Sequence, residues 1–151
     1  MRVRDAVEAD GEALGDLADA PAEVMRNVVH DRTVRVAERA PDDGREPAAD
    51  GDDREDVDGE DLEVVGFVGF DAMPGTVRVT YLRGSRTARE HLLDEPIRFA
   101  RKEGMDVEVL VPESETVTAE VVEDAGFRRA GTGPRFGGSR THEYRLDSAE
   151  Q

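Results

Sequence analysis

The chain has 151 residues, with 36 acidic against 20 basic side chains, a formal charge of -16 and no cysteine. That length suits one domain with a core of its own. The charge argues against nucleic acid or an anionic membrane as partner, and the lack of cysteine removes disulfides, thiol nucleophiles and Cys-based zinc sites.

Lys102 is the only lysine, and arginine supplies the other cations. Acidic surface, scarce lysine and many small residues read as adaptation to a saline, halophilic cytoplasm. An acidic cation-binding protein is the rival reading, but no D-x-D-x-D-G loop occurs. His30, His91 and His142 are scattered without ligand spacing, so no metal is expected. No apolar run reaches membrane-spanning length and no signal-peptide pattern opens the chain, so the expected location is the cytoplasm.

Residues 1–5 alternate around Val3 and predict a short first strand. Residues 8–19 put Ala13, Leu14, Leu17 and Ala18 on one face of an amphipathic helix. Pro21 suits the first turn of a second helix that would bury Val24, Met25, Val28 and Val29. Residues 33–39 alternate Val34 and Val36 with Arg35, a strand. Residues 41–61 are rich in Asp, Glu, Gly and Pro and nearly devoid of large apolar side chains. Such a stretch cannot offset the entropy of ordering, and it predicts a disordered acidic loop within the domain.

Residues 62–70 (LEVVGFVGF) are the most apolar segment and predict a central strand. Pro74 and Gly75 turn the chain into a hairpin partner at 76–82. Next comes YLRGSRTAREHLLDEPIRFARKEG, the end of a strand followed by a helix. Thr87 and Glu90 form a T-x-x-E capping box, which predicts a helix start at Ala88. Ala88, Leu92, Leu93, Ile97 and Ala100 share one face, and Gly104 is the stop. Pro96 predicts a kink, or a restart near Asp94 and Glu95. The first turn of this helix, with orphan amides and partial positive charge, is a place where an anion can bind. Residues 105–111 predict a buried strand, and 116–125 a short helix packing Val117, Val121 and Val122. A strand at 127–132, a Gly137–Gly138 turn and a last strand at 139–146 follow. The expected domain is 1–147, with 148–151 as tail.

This order resembles the GNAT superfamily of acyl-CoA-dependent N-acyltransferases, and the likeness runs over nearly the whole chain. The opening MRVRDAVEADGEALGDLA is similar to that family's first strand and helix. AEVVEDAGF resembles its helix ending in Gly-Phe, and HEYRL its closing hairpin. The resemblance implies an α/β (α+β) fold, a mixed sheet of about seven strands flanked by about four helices. It implies N-acetyltransferase activity that moves an acetyl group from acetyl-CoA to an amine, a small molecule or a peptide. Pairing of two copies through sheet edges, as a homodimer, stays open.

The family's R/Q-x-x-G-x-G/A loop binds the CoA pyrophosphate. It aligns here with Gly84, Ser85, Arg86, Thr87, Ala88 and Arg89, with backbone near Leu82 and Arg83 holding the rest of the cofactor. Thr87 and Arg89 stand at the two glycine positions, and Arg86 and Arg89 offer bidentate contacts to phosphate in their place. The family's proton-donating tyrosine falls on Val122. Tyr81 is the candidate replacement acid, with simple aromatic packing on the sheet as its rival role. Glu143, His142 and Asp71 are candidate bases by residue type. The alternative to an enzyme is a non-catalytic GNAT-fold protein holding a ligand or protein partner in a remnant cofactor cleft, with a structural or dimerisation module as a third class.

Overall fold

A computed structural model describes residues 1–39, 62–136 and 139–148. The elements are β1 (Arg2–Asp5), a 3-10 turn (Glu8–Asp10), α1 (Gly11–Ala18), α2 (Ala22–Asp31), β2 (Thr33–Arg39) and β3 (Glu63–Met73). They continue with β4 (Thr76–Gly84), α3 (Arg86–Glu103), β5 (Asp106–Pro112), α4 (Thr116–Asp124), β6 (Arg128–Phe136) and β7 (Ser139–Leu146). The predicted element order holds. The acidic loop expected at 41–61, the Gly137–Gly138 turn and most of the expected tail lie outside the described residues.

The strands form one seven-stranded sheet in the order β1-β2-β3-β4-β5-β7-β6. Every neighbouring pair is antiparallel except β4 and β5, which are parallel because α3 carries the chain between them. Strand alternation sends one set of side chains to each face. On one face, Val77, Val79, Val107, Val109, Tyr144 and Leu146 pack with the buried stripe of α3 and with Val121 and Val122 of α4. On the other, Val34, Val36 and Phe67 pack with Leu14 of α1 and Met25 of α2.

Two buried-face expectations are corrected. Val24 is 44% exposed and Val117 37% exposed; Met25 and Thr118 take the inward positions instead. The helix predicted at 8–19 divides into the 3-10 turn and α1. Pro96 neither restarts nor ends its helix: α3 runs unbroken from Arg86 to Glu103 with Pro96 buried. A proline inside a helix costs on the order of 3 kcal/mol. Here Ala88, Leu92, Leu93, Ile97 and Ala100 are buried on the same stripe and outweigh it. Glu95 is also held by Arg35 of β2 at 2.7 Å.

The sheet opens at one place. β4 and β5 pair only from Thr76 and Asp106 to Val79 and Val109. Beyond that point β4 stays with β3 as far as Gly84, while β5 stays with β7 as far as Pro112. The divergence begins at an extra residue in β4. Gly69 pairs with Tyr81 and Phe70 with Val79, which leaves Thr80 as a bulge. A bulge bends its strand and changes which face the following side chains address. Val77, Val79 and Leu82 therefore all reach the α3/α4 core, while Tyr81 joins the α1/α2 side.

Candidate functional site

The opening between β4 and β5 is the candidate site, and its far end is the start of α3. Gly84 closes β4 with φ +122, a conformation that favours glycine, and a Cβ there would overlap the Val65 carbonyl and the Gly66 Cα. A Cβ on Gly66 would sit 2.7 Å from the Ala88 Cβ. The two glycines face each other across β3 and β4 and let α3 begin directly on the sheet.

This geometry moves the helix start. Ser85, not Thr87, is the N-cap: its hydroxyl accepts the Ala88 amide at 3.1 Å. Thr87 lies inside the first turn, and Glu90 sits 3.6 Å from Arg86 on the helix surface rather than completing a capping box. The predicted start at Ala88 is two residues late because β4 holds its pairing to Gly84 and delivers Ser85 at the cap. One consequence bears on chemistry. The amides of Arg86 and Thr87 have no hydrogen-bond partner among the described residues and lie at the positive end of an 18-residue helix.

The arginines behave differently from each other. Arg86 is exposed and bridges α3 to α4 through Glu120 at 2.8 Å and Asp124 at 3.4 Å. Its hydrogen bond to Glu120 raises its pKa further. Arg89 is 13% exposed, and its nearest carboxylate, Glu115, is 3.5 Å away. Its buried Nε has no hydrogen-bond partner. Burial lowers the Arg89 pKa, Glu115 opposes that, and the charge of Arg83 lowers it again. A guanidinium desolvated this far and paired this weakly is under-compensated and has capacity for an anion.

The remaining sequence-predicted residues are distributed around the opening. Leu82 is buried, and its carbonyl lies 3.5 Å from the Thr118 hydroxyl of α4. The Arg83 guanidinium stands 5.7 Å from the centre of the Tyr81 ring, and that ring lies 5.6 Å from Phe67. Tyr81 is thus packed on the sheet at the bulge. Val122 of α4 is fully buried. Asp71 is engaged by Arg32 at 2.8 Å. Among the described residues there is no group of three or more metal-ligating side chains, and no helix is long and apolar enough to cross a membrane.

Spacing did not reveal a further pair. Glu108 of β5 is buried and held by Arg78 of β4 at 2.8 Å. Glu143 of β7 is the register partner of Leu110 and so lies diagonally across the ladder from Glu108. Burial opposes the charge of Glu108, but the hydrogen bonds with Glu143 and Arg78 outweigh it and hold its pKa low. The hydrogen bond to Glu108, then burial, then the Glu108 charge push the Glu143 pKa up. The two carboxyls therefore titrate as a coupled pair.

No family model matches the chain, and no curated protein matches it either. Solved structures do. A ribosomal-protein-alanine N-acetyltransferase from Brucella melitensis superposes with a TM-score of 0.67 at 16% identity, over 97% of this chain and 99% of that one. YncA, a putative acetyltransferase from Salmonella typhimurium solved with its cofactor acetyl-CoA, gives 0.64 at 14% identity, over 100% and 95%. The PaiA N-acetyltransferase of Thermoplasma acidophilum, in complex with coenzyme A, gives 0.63 at 13% identity, over 94% and 96%. The chain has the GNAT acyl-CoA N-acyltransferase fold, and its structural neighbours are acetyltransferases of that family.

Proposed function

We propose that the chain is an N-acetyltransferase that moves an acetyl group from acetyl-CoA to an amine. The observation that carries this reading is the divergence of β4 from β5 directly beneath the two open amides of Arg86 and Thr87. A pyrophosphate would sit on those amides, with Arg89 turning its under-compensated guanidinium toward it. The pantetheine arm carries amide groups of its own. It would run along the β4 edge near Leu82 and Arg83 as an added strand where β5 has left. Gly84, Ser85 and Ala88 shape the cradle through their backbone, and Thr87 borders it. Tyr81 is the candidate acid for the departing thiolate. Thr87 and Arg89 stand where the usual glycines would, and the earlier helix start at Arg86 offers the first-turn amides in their place. The acidic, halophilic-type composition suits a cytoplasmic enzyme working in concentrated salt.

Titration with acetyl-CoA in molar salt tests the reading. We expect a raised melting temperature, with amide shifts centred on residues 84–89. Arg89→Ala should weaken binding about tenfold or more. Arg86→Ala should weaken it as well, because it removes a cation and leaves Glu90, Glu120 and Asp124 facing the phosphates. Silence at millimolar acetyl-CoA would favour the second reading, a non-catalytic protein of this fold. Two observations speak for that alternative. Val122 has no proton to give, and Arg86 is already engaged by carboxylates. Under either reading, a homodimer through the sheet edges is a further proposal.

A further inference from the structure

We propose that Glu115, steadied by Thr118, is a latch across the opening that competes with the phosphates of acyl-CoA for Arg89. This rests on the acetyltransferase reading. The latch joins three elements. Glu115 stands at the start of α4, and its Oε1 lies 3.5 Å from the Arg89 guanidinium of α3. The same oxygen lies 3.3 Å from the Thr118 hydroxyl, and that hydroxyl lies 3.5 Å from the Leu82 carbonyl of β4. The contacts thus run from the β4 and α3 side of the opening to the α4 side, past the point where β5 leaves β4.

The first ground is that the pair is loose. Arg32 meets Asp71, and Arg78 meets Glu108, at 2.8 Å. Arg89 and Glu115 stop at 3.5 Å, and the buried Nε of Arg89 has no hydrogen-bond partner. A carboxylate at that distance offsets only part of the cost of desolvating the guanidinium. An anion that accepts from more of its N–H groups therefore displaces it. The second ground is that Glu115 is the one carboxylate paired with Arg89 among the described residues. Glu120 and Asp124 of the same helix are committed to Arg86. Without Glu115 the charges of Arg83 and Arg89 would oppose each other with no anion beside them, since the Arg83 charge already lowers the Arg89 pKa.

The third ground is that a displaced Glu115 has other partners at hand. The Thr118 hydroxyl carries one proton and faces two acceptors, so it serves the Leu82 carbonyl or the Glu115 carboxylate, but not both at once. A pantetheine amide that donates to the Leu82 carbonyl leaves the Thr118 proton to Glu115. The carboxylate also stands at the N-cap of α4 without accepting any amide of its own helix. Negative charge is favoured there. Release from Arg89 therefore strands no charge, and occupation of β4 and of Arg89 by one ligand are coupled through Thr118.

The latch has a signature that a merely structural ion pair lacks. An interaction present only without ligand stabilises the free protein and weakens binding by the same amount. Removing Glu115 must then move the two quantities in opposite directions: lower stability without ligand, tighter binding with it. A carboxylate that instead oriented Arg89 toward the phosphates would lose both together.

The test uses the full chain in molar potassium chloride, with acetyl-CoA titrated by calorimetry and melting temperature read with and without it. Glu115→Gln should tighten acetyl-CoA binding about fivefold or more and lower the melting temperature without ligand by about 2–4 °C. Glu115→Asp, which shortens the reach to Arg89, should act in the same direction and less, and it serves if Glu115→Gln folds poorly. Glu113→Gln removes the same charge from an exposed site two residues away and should change affinity less than about twofold. In an Arg89→Ala background the gain from Glu115→Gln should also fall below about twofold. Unchanged or weaker binding by both Glu115 variants would overturn the latch and leave the cofactor site standing. An equal gain from Glu113→Gln, or a gain that persists without Arg89, would overturn it as well. No binding of millimolar acetyl-CoA by any of these proteins would instead remove the acetyltransferase reading, and the latch with it.

Discussion

Asp10 shows how a single side chain ties this acidic chain together. It accepts both terminal nitrogens of Arg4, at 2.9 and 3.0 Å, and the Val7 amide at 2.8 Å. Arg4 also reaches Glu38 of β2 at 2.9 Å, so one guanidinium joins β1, the 3-10 turn and the sheet. Burial of Asp10 favours its neutral form, but the Arg4 hydrogen bonds and the Val7 amide outweigh burial and hold its pKa below the ordinary 3.8. A depressed carboxylate stabilises the fold above its unfolded pKa, and that stability is lost as pH falls through the folded value. Asp10→Asn should therefore cost about 2–3 kcal/mol at pH 7, because it leaves Arg4 under-compensated. The gap from wild type should shrink below about pH 4. Urea melts at both pH values check this, and a gap that widens on acidification would contradict it.

At the level of elements, the decisive junction is β4 into α3. Two glycines and a serine set it, and the two glycines have no room for a side chain. Gly84→Ala should destabilise by more than about 2 kcal/mol, through strain at φ +122 and overlap with β3. Gly75→Ala provides a contrast, since its turn at φ +76 has open space around the missing Cβ and should cost less. The cap is tested separately. Ser85→Ala should cost about 1 kcal/mol, whereas Thr87→Ala, an exposed first-turn change, should stay within about 0.5 kcal/mol. The reverse order in denaturant melts would return the cap to Thr87.

For the molecule as a whole, the net charge of -16 governs how stability responds to salt. Exposed ion pairs such as Arg86–Glu120 and Arg128–Asp147 are individually worth little and are screened by salt. Like-charge repulsion summed over the surface is screened as well, because the Debye length falls to about 3 Å at molar salt. The second effect should win. The melting temperature should rise from dilute buffer to molar potassium chloride, and the circular dichroism should lose amplitude at the dilute end. Identical melting curves across that range would show that charge does not limit stability.

Hydrophobic alternation and helical periodicity are local, so the order of strands and helices was legible residue by residue. Val34 and Val36 marked a strand, and Leu92, Leu93 and Ile97 marked a buried helix face. The stretch around Gly84 to Arg89 was legible as a candidate site for the same reason, since strand end, cap and helix follow one another in the chain. The cap itself was misplaced because T-x-x-E is a local pattern, whereas the helix start depends on how far β4 stays hydrogen-bonded to β3. The divergence of β4 from β5 needs three strands and the Thr80 bulge, and the nearness of Glu108 to Glu143 needs two strands with α4 and β6 between them in the chain. Periodicity carries no information about either, because both arise from the register of segments far apart in sequence. The chain alone thus specified its elements and their faces, and assembly of the sheet created the opening between β4 and β5 and brought Glu108 and Glu143 to adjoining strands beside it.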